Sequence, residues 1–87
     1  MDIGKKVGTQ GDDALRITHI LSNGESGKTV SVEAIQSELK LDRVQIRNVF
    51  DYLQTIGLIR IESIGGEFLY GHISLTRQGV MKAATLF

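Results

Sequence analysis

The stretch 30–61, VSVEAIQSELKLDRVQIRNVFDYLQTIGLIRI, decides the fold because two hydrophobic periods follow one another in it. Apolar residues first recur every three to four positions, which predicts two helices separated by a tight turn near Leu41. After Gly57 the period becomes two, with isoleucines alternating with charged residues, and this predicts a strand. The stretch 68–79, FLYGHISLTRQG, predicts a returning strand and the start of another helix. Together these patterns indicate an α+β domain.

The helix predicted over residues 43–56 has the clearest amphipathic pattern. Its apolar residues fall within a sector of about 120° when successive residues are placed about 100° apart. They are Ile46, Val49, Phe50, Leu53 and Ile56. The opposite sector holds Val44, Arg47, Asn48, Asp51 and Thr55, with Gln45 and Tyr52 on one flank. Asp42 is predicted to cap the start of this helix, and Gly57 suits the left-handed position after its end.

The remaining residues complete one domain, predicted over 12–87 and preceded by a flexible N-terminal arm over 1–11. The arm is expected because residues 1–11 contain three glycines and few large apolar side chains. The predicted N-caps of the other helices are Asp12 or Asp13, Ser31 and Thr76. The buried face predicted for the first helix comprises Ala14, Ile17 and Leu21, widened by Leu15 and Ile20. Gly65 and Gly66 are predicted to form the turn between the two longer strands.

Composition narrows the classes of function. The 87 residues include no cysteine, which excludes a disulfide framework, a zinc finger and a thiol nucleophile. His19 and His72 have no suitably spaced partners for a metal site, and no nucleophile-elbow motif is present. We therefore expect neither catalysis nor a bound cofactor or metal. No secretory signal or membrane span is evident, so the cytoplasm is the expected compartment.

Two segments resemble small winged helix-turn-helix transcription regulators. LKLDRVQIRNVFDYLQTIGLIRI, over 39–61, is similar to their second turn, third helix and first wing strand. ISLTRQGV, over 73–80, resembles their second wing strand and the start of the closing helix. The resemblance covers about residues 14–84. It implies a three-helix core, a two- to three-stranded β-wing, a C-terminal helix and a role in binding DNA and regulating transcription.

The resemblance also implies a DNA-binding site. In such regulators the N-terminal half of the third helix enters the major groove. The corresponding residues here are Arg43, Val44, Gln45, Arg47 and Asn48. Lys28 and Arg60 are expected to contact phosphates. The implied partner is double-stranded DNA. The last helix carries several apolar residues, which favours one of two arrangements: packing against a second copy of the chain, or packing on the first helix of the same chain.

A second hypothesis is a winged-helix module that binds another protein and no nucleic acid. Ten basic and ten acidic residues cancel, whereas a DNA-binding domain commonly has a basic excess. Glu67 is the only charged residue of the predicted wing turn, and Asp51 lies centrally on the exposed side of the third helix. On this hypothesis Arg47 and Asp51 form an ordinary surface pair four residues apart. Val44 and Tyr52 would then contribute to a protein-binding surface.

Overall fold

The computed structural model describes residues 3–64 and 70–87. Within these ranges the elements are α1 (Ile3–Leu21), β1 (Val30–Ser31), α2 (Val32–Leu39), α3 (Arg43–Thr55), β2 (Ile59–Ile64), β3 (Tyr70–Leu75) and α4 (Arg77–Ala84). The three strands form one antiparallel sheet in the order β1-β3-β2. The predicted α+β class is therefore confirmed.

The first half of β2 alternates between the core and solvent, as its period of two predicts, whereas in β3 Ser74 is buried between Ile73 and Leu75. Ile59 pairs with Leu75, and Ile61 pairs with Ile73. Ile59, Ile73 and Leu75 are buried, and Ile61 packs against the same core. Beyond Ile61 the register shifts twice, which bends the distal half of the hairpin. The turn predicted at Gly65 and Gly66, together with Glu67, lies outside the described residues.

One hydrophobic core joins the helices to the sheet. Its largest fully buried apolar side chains are Phe50, Leu15, Ile35, Ile46, Leu53, Ile73, Leu75, Val32 and Val49. The last helix, α4, packs closely on the segment that follows α3, because Gly79 lies against the backbone of Leu58. Thr76 caps α4 as predicted, since its hydroxyl oxygen accepts a 3.0 Å hydrogen bond from the Gly79 N–H.

A three-residue turn joins α2 to α3. Lys40 takes the left-handed conformation with φ 56°, and its N–H donates to the Gln36 carbonyl oxygen at 2.8 Å. Asp42 then caps α3 through a capping box with Gln45. The Asp42 carboxylate accepts from the Gln45 N–H at 2.8 Å, and Gln45 Oε1 accepts from the Asp42 N–H at 3.0 Å. The predicted cap is confirmed, and Gly57 has the predicted positive φ of 82° after the helix ends.

Removing this cap should weaken α3. We expect Asp42→Ala to lower the free energy of unfolding by about 1 kcal/mol, because an orphan helix N–H loses its acceptor. Asp42→Asn is the matched control, since asparagine caps about as well as aspartate. Urea denaturation monitored by circular dichroism measures both. Equal stability of the two variants would show that the cap contributes nothing.

Residues 3–11 form the first turns of α1 rather than an arm separate from it. The helix begins at Ile3, so the prediction of an N-cap at Asp12 or Asp13 is wrong. Packing explains the helix at the end of this segment: Gly11 is buried, and a Cβ at its position would lie 3.2 Å from Leu53 Cδ2. This close approach to α3 favours helix despite the low intrinsic helix propensity of glycine.

The buried face of α1 agrees in part with the predicted one. Gly11, Ala14, Leu15 and Thr18 are buried and Ile17 packs against the core, whereas Leu21 and Ile20 are exposed. The hydroxyl of Thr18 can be buried because it donates to the Ala14 carbonyl oxygen at 2.7 Å. The buried stripe therefore consists mostly of small residues, which allow the neighbouring helices to approach closely.

Two further predictions need correction. Ile56 is 48% exposed, because it follows the last residue of α3 and borders a groove of about 380 Å³ between α1, α3 and α4. Ser31 occupies the N-cap position of α2, but its side chain makes no capping hydrogen bond. Its backbone is extended because Ser31 also ends β1, where it pairs with His72 of β3.

Candidate nucleic-acid interface

The N-terminal half of α3 presents an open surface to solvent. Ile46, Val49, Phe50 and Leu53 face the core and are buried. The residues between them that point away from the core are exposed: Arg43, Val44, Arg47 and Asn48. We call these four residues the outer face of α3. Nothing in the described part of the chain seals this face, so four of the residues named from the sequence share one accessible surface.

Val44 is the unusual member of the outer face, because 68% of this aliphatic residue is exposed. An exposed valine beside two arginines and an asparagine gives a surface that combines an apolar contact with hydrogen-bond donors and acceptors. Such a set can contact a thymine methyl group, guanine and adenine. It can equally contact a protein surface of mixed polarity.

Gln45 differs from the rest of the predicted set because its side chain is part of the α3 cap. Its amide oxygen accepts the Asp42 N–H. A bidentate contact to adenine uses both the oxygen and the nitrogen of an amide group. That contact would compete with the cap, so the structure gives Gln45 a structural role at the start of the helix.

Asp51 lies at the centre of a cluster that extends from the outer face to the hairpin. Arg47 Nε lies 4.0 Å from Asp51 Oδ2, and both side chains are about half exposed. The i,i+4 pair considered from the sequence is therefore present. Tyr70 of β3 donates a hydrogen bond from its hydroxyl to Asp51 Oδ1. We call Arg47, Asp51 and Tyr70 the Asp51 cluster.

The Asp51 cluster raises the pKa of Tyr70 above its ordinary value of 10.0. The main cause is the hydrogen bond to the Asp51 carboxylate, which favours the protonated hydroxyl, and partial burial acts in the same direction. Arg47 opposes the shift because its positive charge favours the phenolate. Tyr70 therefore remains a hydrogen-bond donor at neutral pH. Sequence patterns predicted its strand but not its contact with α3.

Lys28 and Arg60 lie apart from the outer face of α3. The N–H of Gly27, next to Lys28, donates to the Leu75 carbonyl oxygen at 2.9 Å, and Arg60 pairs across the sheet with Ser74. Lys28 and Arg60 therefore lie at the base of the β2–β3 hairpin, near the C-terminal end of α3. Arg43 lies at the N-terminal end of α3, about 18 Å along the helix axis from Thr55.

Each of these two cations also has an acidic neighbour. Lys28 Nζ is 3.8 Å from Glu25 Oε2, and Arg60 Nε is 3.7 Å from Glu62 Oε1. Exposed pairs of this kind are weak and do not prevent either cation from contacting a phosphate. The two acids do lower the net positive charge around Lys28 and Arg60.

The residues predicted to contact DNA therefore form two groups in the structure: those on α3, and Lys28 with Arg60 at the base of the hairpin.

The α3 helix alone has a formal charge of +1, and its cap residue Asp42 cancels that charge. Between Arg43 and Thr55 the helix carries two arginines and one aspartate, while the carboxylate of Asp42 lies just before it. Two carboxylates adjoin the arginines of the outer face: Asp42 directly precedes Arg43, and Asp51 lies one turn beyond Arg47 on the exposed side of the helix. The positive charge of the first two turns is therefore partly neutralised by its neighbours.

The described residues contain no group of three or more His, Cys, Asp or Glu side chains placed to hold a metal ion. The histidines have other neighbours. The His19 ring lies against Phe87 with centroids 5.3 Å apart, and His72 Nδ1 is 3.0 Å from Ser63 Oγ.

Within residues 3–64 and 70–87, no helix combines the length and apolar character that a membrane span requires.

Comparisons with protein-family models, curated proteins and solved structures returned no significant match to this chain.

Proposed function

We propose that this protein is a winged-helix DNA-binding protein that regulates transcription, with α3 as the helix that enters the major groove. The element order, from α1 through β1, α2, α3, β2 and β3, supports the fold, as does the strand order β1-β3-β2. The short turn between α2 and α3 is also what a helix-turn-helix requires. On this proposal the β2–β3 hairpin is the wing of the winged helix. The protein would bind DNA in the cytoplasm.

The observation that carries the proposal is the outer face of α3. In helix-turn-helix proteins the recognition helix lies in the major groove, and its N-terminal residues contact base edges. Arg43 and Arg47 supply the guanidinium groups that pair with guanine, and Asn48 supplies an amide suited to adenine. Val44 offers the apolar contact that a thymine methyl group requires.

A second copy of the chain is part of the proposal. Met81 and Phe87 near the C-terminus are 70% and 67% exposed. Packing of α4 against its counterpart would cover apolar surface and place two α3 helices on one duplex. The alternative considered from the sequence, α4 packed on the first helix of its own chain, is also supported, since Arg16 Nη1 lies 3.4 Å from the Leu86 carbonyl oxygen.

The direct test is a fluorescence anisotropy titration with a labelled pool of random-sequence duplexes at several salt concentrations. We expect binding that weakens with salt, with a slope of log K against log salt of about −0.9 for each phosphate contacted. Selection from the same pool would then report sequence preference. No binding at about 100 µM protein and low salt would contradict the proposal.

A protein-binding module is the second candidate, favoured by the exposure of Val44 and Tyr52 and by the zero net charge. On this hypothesis the protein ignores duplex DNA and retains a protein partner in nuclease-treated extract. Val44→Ser should release that partner, because it removes the apolar contact while leaving the charges of α3 unchanged.

A further inference from the structure

The groove of about 380 Å³ between α1, α3 and α4 has an apolar floor. Leu15 of α1 and Leu53 of α3 line it, and both side chains otherwise belong to the core. Ile56, which is half exposed, and Leu58 extend this apolar surface beyond the end of α3. The volume lies within the range of about 300–1,000 Å³ in which proteins bind small molecules.

The rim of the groove carries one charge of each sign. Asp12 of α1 and Lys82 of α4 both line the groove. The two segments lie side by side, because Nη1 of Arg16, one turn after Asp12, is 3.4 Å from the Leu86 carbonyl oxygen, one turn after Lys82. Among the described residues, neither the Asp12 nor the Lys82 side chain has a hydrogen bond or an ion pair.

We infer that this groove binds a small zwitterion with an apolar side chain, of the chemical class of the α-amino acids. The ligand ammonium group binds the Asp12 carboxylate, and the ligand carboxylate binds the Lys82 ammonium group. The apolar side chain of the ligand lies on Leu15 and Leu53. This inference goes beyond DNA binding, because no residue of the outer face of α3 lines the groove.

Charge complementarity selects this class of ligand. A ligand with only a negative charge leaves Asp12 without a partner, and a ligand with only a positive charge leaves Lys82 without one. An α-amino acid carries both charges on one carbon, so both can meet the rim while the side chain points towards the floor. Contacts between exposed charges are individually weak, and the pair therefore determines which ligand is preferred rather than giving high affinity.

The test is an NMR titration of isotope-labelled protein with L-leucine, leucinamide and 4-methylpentanoate. The three share one side chain, but leucine has both charges, leucinamide only the positive one and 4-methylpentanoate only the negative one. We expect L-leucine to shift the amide signals of residues 8–15, 52–58 and 82 most. It should bind about two- to fivefold more tightly than either analogue, the range measured for exposed charge pairs.

Substitutions on the rim assign each charge to its partner. Lys82→Gln should remove the preference for L-leucine over leucinamide, because these ligands differ in the carboxylate. Asp12→Asn should remove the preference for L-leucine over 4-methylpentanoate, which lacks the ammonium group. Asp13→Asn and Lys28→Gln are the matched controls, since each deletes the same charge at a residue that does not line the groove. Both controls should keep the two preferences of the wild type.

Three outcomes would overturn the inference. They are equal affinity of the wild type for all three ligands, loss of a preference in its control variant, and no leucine-dependent shift in the groove. The titration uses no DNA, so a failure of this inference and a failure of the proposed DNA binding are distinguished by separate measurements.

Discussion

Gly79→Ala is expected to lower the free energy of unfolding by about 3 kcal/mol or more, which is a large part of the stability of a small domain. A Cβ at this position would lie well inside van der Waals contact of the Leu58 carbonyl oxygen and 3.0 Å from its carbonyl carbon. Leu58 cannot easily move away. Its N–H donates to the Leu53 carbonyl oxygen at 2.9 Å, and its own carbonyl oxygen accepts from the Thr76 N–H at 3.1 Å.

Gly8→Ala provides the matched control. Gly8 also lies in a helix, but a Cβ there would meet no heavy atom within 4 Å. We expect this variant to gain up to about 1 kcal/mol, because alanine favours helix where glycine does not. Thermal and urea denaturation would measure both variants. Wild-type stability of Gly79→Ala would contradict the close packing of α4 on Leu58.

Arg47→Ala is expected to cause the largest loss of DNA binding among single substitutions on the outer face of α3. A bidentate arginine contact to guanine contributes about 1–3 kcal/mol of discrimination, which corresponds to about 5- to 150-fold in affinity. The loss should be largest for the selected sequence if Arg47 contacts a base. If it contacts a phosphate, all sequences should weaken alike, and the salt slope should fall by about one.

Arg77→Ala is the control for this experiment. Arg77 is also exposed, but it lies at the start of α4, beside the end of the hairpin remote from the outer face of α3. Its removal deletes the same charge and should change affinity by less than about twofold. Equal losses from the two substitutions would indicate a general charge effect rather than a specific site on α3.

The sequence was most informative where one local pattern determined one element. In α3 the hydrophobic period, the Asp42 cap and Gly57 all predict the same helix, and the structure places its bounds at Arg43 and Thr55. The period of two predicted the inward face of β2, with Ile59 and Ile61 towards the core, for the same reason. In each case the signals lie within a few residues of the feature that they predict.

The errors came from contacts between distant residues. Gly11 packs against Leu53, 42 positions along the chain, so no local signal could show that this glycine lies inside α1. The buried stripe of α1 includes Thr18, whose hydroxyl is satisfied by its own helix, whereas hydrophobicity alone favoured Leu21.

In the candidate site, too, local features could be predicted from the sequence and long-range contacts could not. The outer face of α3 could be predicted because amphipathicity fixes which residues point away from the core. The hydrogen bond from Tyr70 to Asp51 could not, because it depends on how the hairpin lies against α3. The separation of Lys28 and Arg60 from that face likewise follows from the path of the chain in three dimensions.

The most direct test of the central claim is an NMR titration of isotope-labelled protein with a duplex recovered by selection. If α3 enters the major groove, the largest amide shifts should fall on residues 43–48, with smaller shifts along the hairpin. Shifts confined to α1 and α4, or no shifts at all, would contradict the claim that the outer face of α3 binds DNA.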